Sequence, residues 1–512
     1  MFSKVYSGTV SGIDGEVITV EADVSDGLPI FSMVGYLSGE VREAKERVRI
    51  AMKNAGFYMM PKRITVNLSP ADVRKEGTVF DLPIAIAILA GIGMVTEKGL
   101  DKTMIVGELS LNGEVRRVNG ILPIVKGAKR AGMKRCLVPK ENATEGAVID
   151  GIEVIGVVSL KEVVDYLMNR VYIEPTYVEP EEMLLRHTKE WEIDFADVVG
   201  QQAAKRAIEV AVSGLHNIIL IGPPGAGKTM LAERIPTIMP PLSLEESLEI
   251  SSIYSISGLL SEKQAFVDRR PFRAPHHTAT AVAMVGGGKT VHPGEVSLAS
   301  GGVLFLDELS EFKSGALELL RQPLEERKVM IARNHGTFVY PANIMVCGAM
   351  NPCKCGYYPD RNHCSCTEHQ VKKYLGRISK PFLDRIDIVT EATKVECAEL
   401  QSNTKEESSE VIRKRVLRAR KIQLERYKGE GVYFNAQLTP KMMERYCCIG
   451  KEEKAFLAVM FEQFHLSARA YHRILKVART IADINNSKNI EVDHISSAFH
   501  YIRFFVERKE LE

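Results

Sequence analysis

The 512-residue chain predicts a multidomain α/β protein. Its expected parts are an N-terminal α+β domain, a central α/β nucleotide-binding domain on a parallel sheet, and an all-α C-terminal lid. Three observations carry this reading. First, "IILIGPPGAGKT" runs from an apolar strand into a glycine-rich loop and then into a helical stretch, the opening unit of an α/β nucleotide-binding domain. Second, "GGVLFLDE" is a continuous apolar run, the pattern of a strand buried on both faces of a parallel sheet. Third, strand signals fade beyond about residue 396, where "EVIRKRVLRARKIQLERY" and "SARAYHRILKVARTIADI" read as helices.

The elements then fall in order. Residues 1–168 form the first domain. Within it, "SGEVREAKERVRIAMKNAGF" places Val41, Ala44, Val48, Ala51 and Ala55 on one helical stripe with charges opposite. "RITVNLSP" and "KRCLVPKEN" read as short strands running into turns. Residues 169–192 carry two prolines, an acidic patch and little periodicity, so they read as a linker. Residues 193–395 form the nucleotide-binding domain, with a cysteine-bearing insertion at 353–366, and residues 396–512 form the lid.

Composition narrows the class. Hydrophobic residues make up 45% and charged residues 26%, the balance of an ordinary globular protein. A formal net charge of +2 means that any nucleic-acid affinity comes from a local basic surface. The longest apolar run, "LPIAIAILAGIGMV", has 14 residues, short of the ~20 needed to span a bilayer as a helix. The N-terminus lacks the apolar core of a signal peptide. With nine cysteines, an odd number, the expectation is a cytoplasmic protein with reduced thiols and no membrane partner.

Chemistry concentrates in the central domain. Gly222, Pro223, Pro224, Gly225, Ala226, Gly227, Lys228 and Thr229 spell G-x-x-x-x-G-K-T. Glycines let backbone N–H groups turn inward around phosphate oxygens. Lys228 is expected to reach the β- and γ-phosphates and Thr229 to ligate Mg²⁺. Asp307 is placed to hold the same Mg²⁺ and Glu308 to polarise the attacking water. The cofactors expected are therefore ATP and Mg²⁺.

Several longer stretches extend this. "DFADVVGQQAAKRAIEVA" resembles the opening segment of AAA+ ATPase modules. "RPFRAPHHTATAVAMVGGG", "HPGEVSLASGGVLFLDEL", "GAMNPCKCGYYPD" and "PFLDRIDI" together resemble the magnesium-chelatase-like AAA+ family called YifB or ComM, over nearly the whole chain. The resemblance implies that Asn351 is the polar sensor positioning the hydrolytic water. It implies that Arg385 is an arginine finger reaching a neighbouring subunit's γ-phosphate, and that Arg469 is the lid arginine called sensor 2. A finger acting in trans implies a ring, a homo-hexamer. Apolar Tyr471, Ile474, Leu475, Ala478 and Ile481 form one stripe of the lid helix, and Arg473 and Lys476 on another face read as solvated surface.

"VGELSLNGEVRRVNGILPIVKGAKRAGMKRCLVPKEN" is similar to the proteolytic domain of Lon proteases. That family's serine position falls near Val79 and its lysine position near Leu122; apolar side chains supply neither nucleophile nor base. Thr78 is adjacent, with no base expected beside it. The domain therefore reads as a Lon-like fold without Lon chemistry, serving ring assembly or substrate engagement.

Two insertions could touch a cargo. "HHTATAVAMVGGGKTVHPGE" has Lys289 near a three-glycine turn, and "RKVMIARNHGTFVYPAN" reads as a hairpin bearing Arg333 and His335. These three are candidate DNA phosphate contacts, and read equally well as solvated loop tips. The resemblance implies a DNA helicase or branch-migration motor acting in recombination or natural transformation. A chelatase-type motor and a protein-remodelling ATPase or protease stay open as alternatives.

Cys353, Cys355, Cys364 and Cys366 make a C-x-C-x8-C-x-C pattern within 14 residues. Gly356, Pro359 and Asp360 favour turns between the pairs, which allows a closed tetrahedral zinc site. His363 is a possible substitute ligand, and ordinary buried cysteines or a redox pair are the other readings.

Overall fold

The structure is a computed structural model. It describes all residues except 59–60, 188–190, 289, 334–335, 396–405 and 512, and describes backbone alone at 185–187 and 503–511. The chain divides into two compact units. One comprises residues 1–185 with two excursions, 243–268 and 330–340; the other comprises 186–242, 269–329 and 341–512.

The first unit is built on a seven-stranded mixed sheet. Its strands are β1 (Phe2–Ser11), β2 (Asp14–Ser25), β3 (Phe31–Val34), β4 (Arg63–Ser69), β5 (Thr103–Ile105), β6 (Arg135–Pro139) and β7 (Glu153–Val157), in the order β3-β4-β2-β1-β5-β6-β7. β1, β2 and β4 pair antiparallel, with Val5 opposite Val20 and Val20 opposite Leu68. Ile18, Val20, Ala22 and Val24 alternate into the core, as the two-residue period of a strand requires. Helix α1 (Gly39–Asn54) starts at Ser38, whose side chain caps the Val41 N–H, and buries Val41, Ala44, Val48 and Ala51. α2 (Asp81–Gly91) is the apolar run of the sequence, buried along nearly its whole length. Its Asp81 is buried too, and Arg47 binds both carboxylate oxygens at 2.8 and 2.9 Å. Burial raises the Asp81 pKa, and the Arg47 guanidinium opposes that shift. α3 (Ile121–Arg130) and α4 (Leu160–Leu167) complete the core. The expected linker contains a helix, Pro180–His187, with proline at its first position and two glutamates in its first turn.

The second unit holds the phosphate loop. Strands β8 (Ile218–Ile221), β9 (Phe272–Arg273), β10 (Val303–Leu306), β11 (Met345–Met350) and β12 (Ile388–Glu391) form a wholly parallel sheet in the order β9-β10-β11-β8-β12. β8, β10 and β11 are buried at every residue, which explains their unbroken apolar sequence. Helix α5 (Gln202–Gly214) precedes β8, and the lid supplies α6 (Ser409–Arg426), α7 (Ala468–Ile484) and α8 (Val492–Leu511).

A buried polar knot ties the lid helices together. Asp483 is wholly buried and accepts from Arg426 at 2.5 and 2.9 Å, Arg479 at 3.1 Å and Asn435 at 2.9 Å. Thr480 joins Asn435 (2.9 Å) to His216 (2.8 Å), and His216 faces Asp387 at 3.1 Å. Removing one partner of a buried ionic group leaves charge without compensation. Asp483→Ala is therefore expected to cost about 3–5 kcal/mol, read as a lowered thermal-unfolding midpoint.

Candidate functional site

Gly222, directly after β8, is demanded by tertiary packing: a Cβ there would lie 2.1 Å from the Ala392 carbonyl oxygen. Gly225 and Gly227 take φ of +75° and +78°, where other residues are strained. Lys228 follows, and its ammonium donates to the carbonyls of Gly222 (2.7 Å) and Pro223 (2.9 Å) and to Asn351 Oδ1 (3.1 Å). Burial lowers the Lys228 pKa, and the Asp307 carboxylate opposes the shift. Lys228 of the phosphate loop and Asn351, far apart in sequence, are thus in contact.

Thr229 Oγ1 donates to Asp307 Oδ2 at 3.1 Å. Adjacent corners of an octahedron with Mg–O bonds of ~2.1 Å are about 3 Å apart, so this pair fits Mg²⁺. Asp307 also accepts the Glu308 N–H at 2.8 Å, and Glu308 itself takes φ of +49°. That backbone sends the exposed Glu308 carboxylate to His277, 3.2 Å from Nδ1. Sequence reading missed His277. Its only signal is a histidine pair in the proline-bearing turn after β9. The His277 ring also lies tilted at 4.1 Å from His276 and meets Phe312 edge-on at 6.5 Å.

Arg385 and Arg469 meet elsewhere. Both line a cleft of about 450 Å³ together with Arg327, Lys476, Glu325, Asp384 and Asp387, and no residue of the phosphate loop lines it. The Arg385 side chain is only 12% exposed, pairs with Glu325, and donates to the Pro381 carbonyl at 2.6 Å. Its buried Nε has no partner. Arg469 is 68% exposed and held at 2.7 Å from Asp384.

Arg473 and Lys476 correct the expectation of a solvated helix face. Arg473 is buried and donates to the Asp384 carbonyl at 2.9 Å, and Lys476 donates to the Ala436 carbonyl at 2.9 Å. α7 packs against α5, α6 and α8, so its polar face meets protein. Burial lowers both pKa values, opposed by Asp387.

Of the expected DNA contacts, Arg333 is exposed near the tip of the hairpin formed by Lys328–Arg333 and Gly336–Pro341. Lys289 and His335 lie outside the described residues. In the first unit, Val79 and Leu122 are buried core residues. Thr78, expected to have no base nearby, donates its hydroxyl to the Glu108 carboxylate. The neighbouring Lys75 is buried and bonded to the Pro70 and Val73 carbonyls.

The four clustered cysteines come together. Their sulfurs all lie within 4.8 Å of one another, whereas His363 instead faces Asp360 at 2.7 Å. Among the described residues, no helix is long and apolar enough to cross a membrane.

Comparison with known proteins places these features in a family. The model "Magnesium chelatase, subunit ChlI" matches residues 194–400, "Magnesium chelatase, subunit ChlI C-terminal" matches 406–502, and "Subunit ChlI of Mg-chelatase" matches 20–142. The chain is 40% identical to competence protein ComM of Haemophilus influenzae over 500 residues, covering 97% of this chain and 96% of that one. It is 40% identical to the YifB protein of Escherichia coli over 501 residues, 98% and 96% of the two chains. Lon protease 2 of Bacillus subtilis is 41% identical over 127 residues, 24% of this chain and 22% of the protease. A P-loop that contacts both an acidic strand end and Asn351, repeated likeness to magnesium chelatase subunit ChlI, and 40% identity to ComM and YifB over nearly the whole chain together place the chain in the magnesium-chelatase-like family of AAA+ ATPases.

Proposed function

We propose that this chain hydrolyses ATP in a homo-hexameric ring and uses the energy to move DNA, as a helicase or branch-migration motor of recombination or natural transformation in the cytoplasm. The observation that supports the ATPase core is the convergence of Lys228, Asn351, Thr229 and Asp307. Lys228 binds the terminal phosphates, and Asn351, hydrogen-bonded to it, positions the water. Thr229 and Asp307 hold Mg²⁺, which neutralises phosphate charge when bound. Glu308 orients and polarises the attacking water, with His277 fixing its carboxylate.

The charged cleft supports a ring. Arg385 and Arg469 share it with no phosphate-loop residue, which suits two arginines that serve the nucleotide of a neighbouring subunit. The DNA reading draws on the full-length likeness to a competence protein and on exposed Arg333, with Lys289 and His335 as further phosphate contacts. A structural zinc at Cys353, Cys355, Cys364 and Cys366 belongs to the same reading and is developed below.

The matching chelatase models favour one alternative, a motor that passes ATP energy to a protein partner. Steady-state ATPase with single-stranded, duplex and four-way-junction DNA separates the two, with Lys228→Ala as blank. Stimulation of several-fold that weakens with salt is expected, because phosphate contacts release counterions. A flat response to every DNA, with basal turnover intact, would overturn the DNA reading in favour of a protein cargo.

A further inference from the structure

We propose that Cys353, Cys355, Cys364 and Cys366 bind one zinc ion, and that the resulting knot braces the nucleotide site from three sides. The second half of this inference rests on the nucleotide reading given above; the first half does not.

The sulfurs are close enough together to share a single tetrahedral ion. Cys353 and Cys355 sulfurs are 3.3 Å apart, Cys353 and Cys364 3.7 Å, and Cys355 and Cys364 3.5 Å. A tetrahedron with Zn–S bonds of ~2.3 Å has edges of about 3.8 Å. All four cysteines are free thiols, so no disulfide accounts for the convergence.

A backbone donor points at one of these sulfurs. The Tyr358 N–H reaches Cys353 at 3.4 Å. Such a donor suits a thiolate that ligates a cation. Cys353, Cys364 and Cys366 are buried, and four protein ligands leave no position for water. A site closed in this way is structural.

Three contacts link the knot to the ATP site. Gly356, between the cysteine pairs, lies against the phosphate loop: a Cβ there would sit 2.5 Å from Pro224 Cδ. Cys353 is two residues from Asn351, whose side chain holds Lys228. The chain leaving Cys366 enters the helix Glu368–Leu375, whose first turn is closed by a Thr367–Gln370 capping box. That helix presents Tyr374, which accepts from the Ser310 hydroxyl at 2.7 Å. Just beyond it, Arg377 pairs with Glu311 at 2.7 Å. Ser310 and Glu311 lie two and three residues after Glu308. The phosphate loop, the sensor and the segment bearing the catalytic acids are therefore all held by the chain from Met350 to Arg377, which has little regular structure before Thr367.

The test uses the full-length protein. Elemental analysis for zinc and iron is expected to give one zinc per chain, lost in Cys353→Ser and Cys364→Ser. Far less than one zinc, or iron in its place, would overturn the metal assignment. Gly356→Ala keeps all four ligands while placing a methyl group on Pro224. It is expected to retain zinc yet lower ATP turnover and the affinity for a fluorescent ATP analogue by about tenfold or more, since small misplacements of reacting groups are costly. Retained zinc with unchanged turnover and nucleotide affinity in both Gly356→Ala and Tyr374→Phe would overturn the brace. Lys228→Ala isolates the nucleotide reading, because it is expected to lose analogue binding and keep its zinc. Analogue binding undiminished in Lys228→Ala would sink the phosphate-loop assignment and leave the metal site standing.

Discussion

Alanine at Arg385 is expected to cut ATP turnover by roughly 10³-fold or more, the contribution of an arginine finger to transition-state charge, while nucleotide still binds the variant's own phosphate loop. The structure gives this residue a particular setting. Its guanidinium is mostly buried, leans on Glu325 and Pro381, and faces a cleft with Arg469, Arg327 and Lys476. None of the phosphate loop reaches that cleft. A finger that serves its neighbour makes a further demand. Mixing Arg385→Ala subunits with Lys228→Ala subunits should restore part of the turnover, because some sites then combine an intact loop with an intact finger. Each variant alone is expected to be nearly inactive, so recovered activity would also show that both fold. Absence of complementation in mixed rings of verified size would place Arg385 outside the reaction of its neighbour.

Glu308→Gln is expected to lower kcat by roughly 10²–10⁴-fold, the range for loss of a positioned general base, with ATP affinity little changed. The amide keeps the size of the side chain and removes its ability to take a proton from water. Since Lys228 bonds Asn351 and Thr229 bonds Asp307 without Glu308, binding and hydrolysis should separate cleanly, and the variant should hold ATP without turning it over. His277→Ala, which frees the Glu308 carboxylate from its 3.2 Å partner, should give a smaller loss in kcat with KM unchanged. Single-turnover measurement decides between the roles. A Glu308→Gln variant that hydrolyses bound ATP at the normal rate would remove Glu308 from the chemistry.

What the sequence determined is what short stretches of chain can encode. The phosphate loop needs an apolar strand, glycines at two left-handed positions and Lys–Thr after them, and all of these lie within twelve consecutive residues, 218–229. The acidic pair at the end of β10 is legible for the same reason, as is the parallel sheet, because strands buried on both faces must be apolar throughout. The cysteine pairs were visible as a pattern, and their convergence needed only turns already marked by Gly356, Pro359 and Asp360.

What the tertiary structure alone decided is environment. Arg473 and Lys476 carry the same charge whether their helix face meets water or three packed helices, so no periodicity could tell a solvated face from a buried one. His277 is an unremarkable residue until a left-handed turn at Glu308 brings a carboxylate to it. The gathering of Arg385 and Arg469 in one cleft joins residues 84 positions apart. The meeting of Gly356 with Pro224 joins two loops 132 positions apart. Such contacts follow from how strands order themselves in a sheet, and a linear pattern of residue types records the chemistry available to a site but not which distant groups are brought to share it.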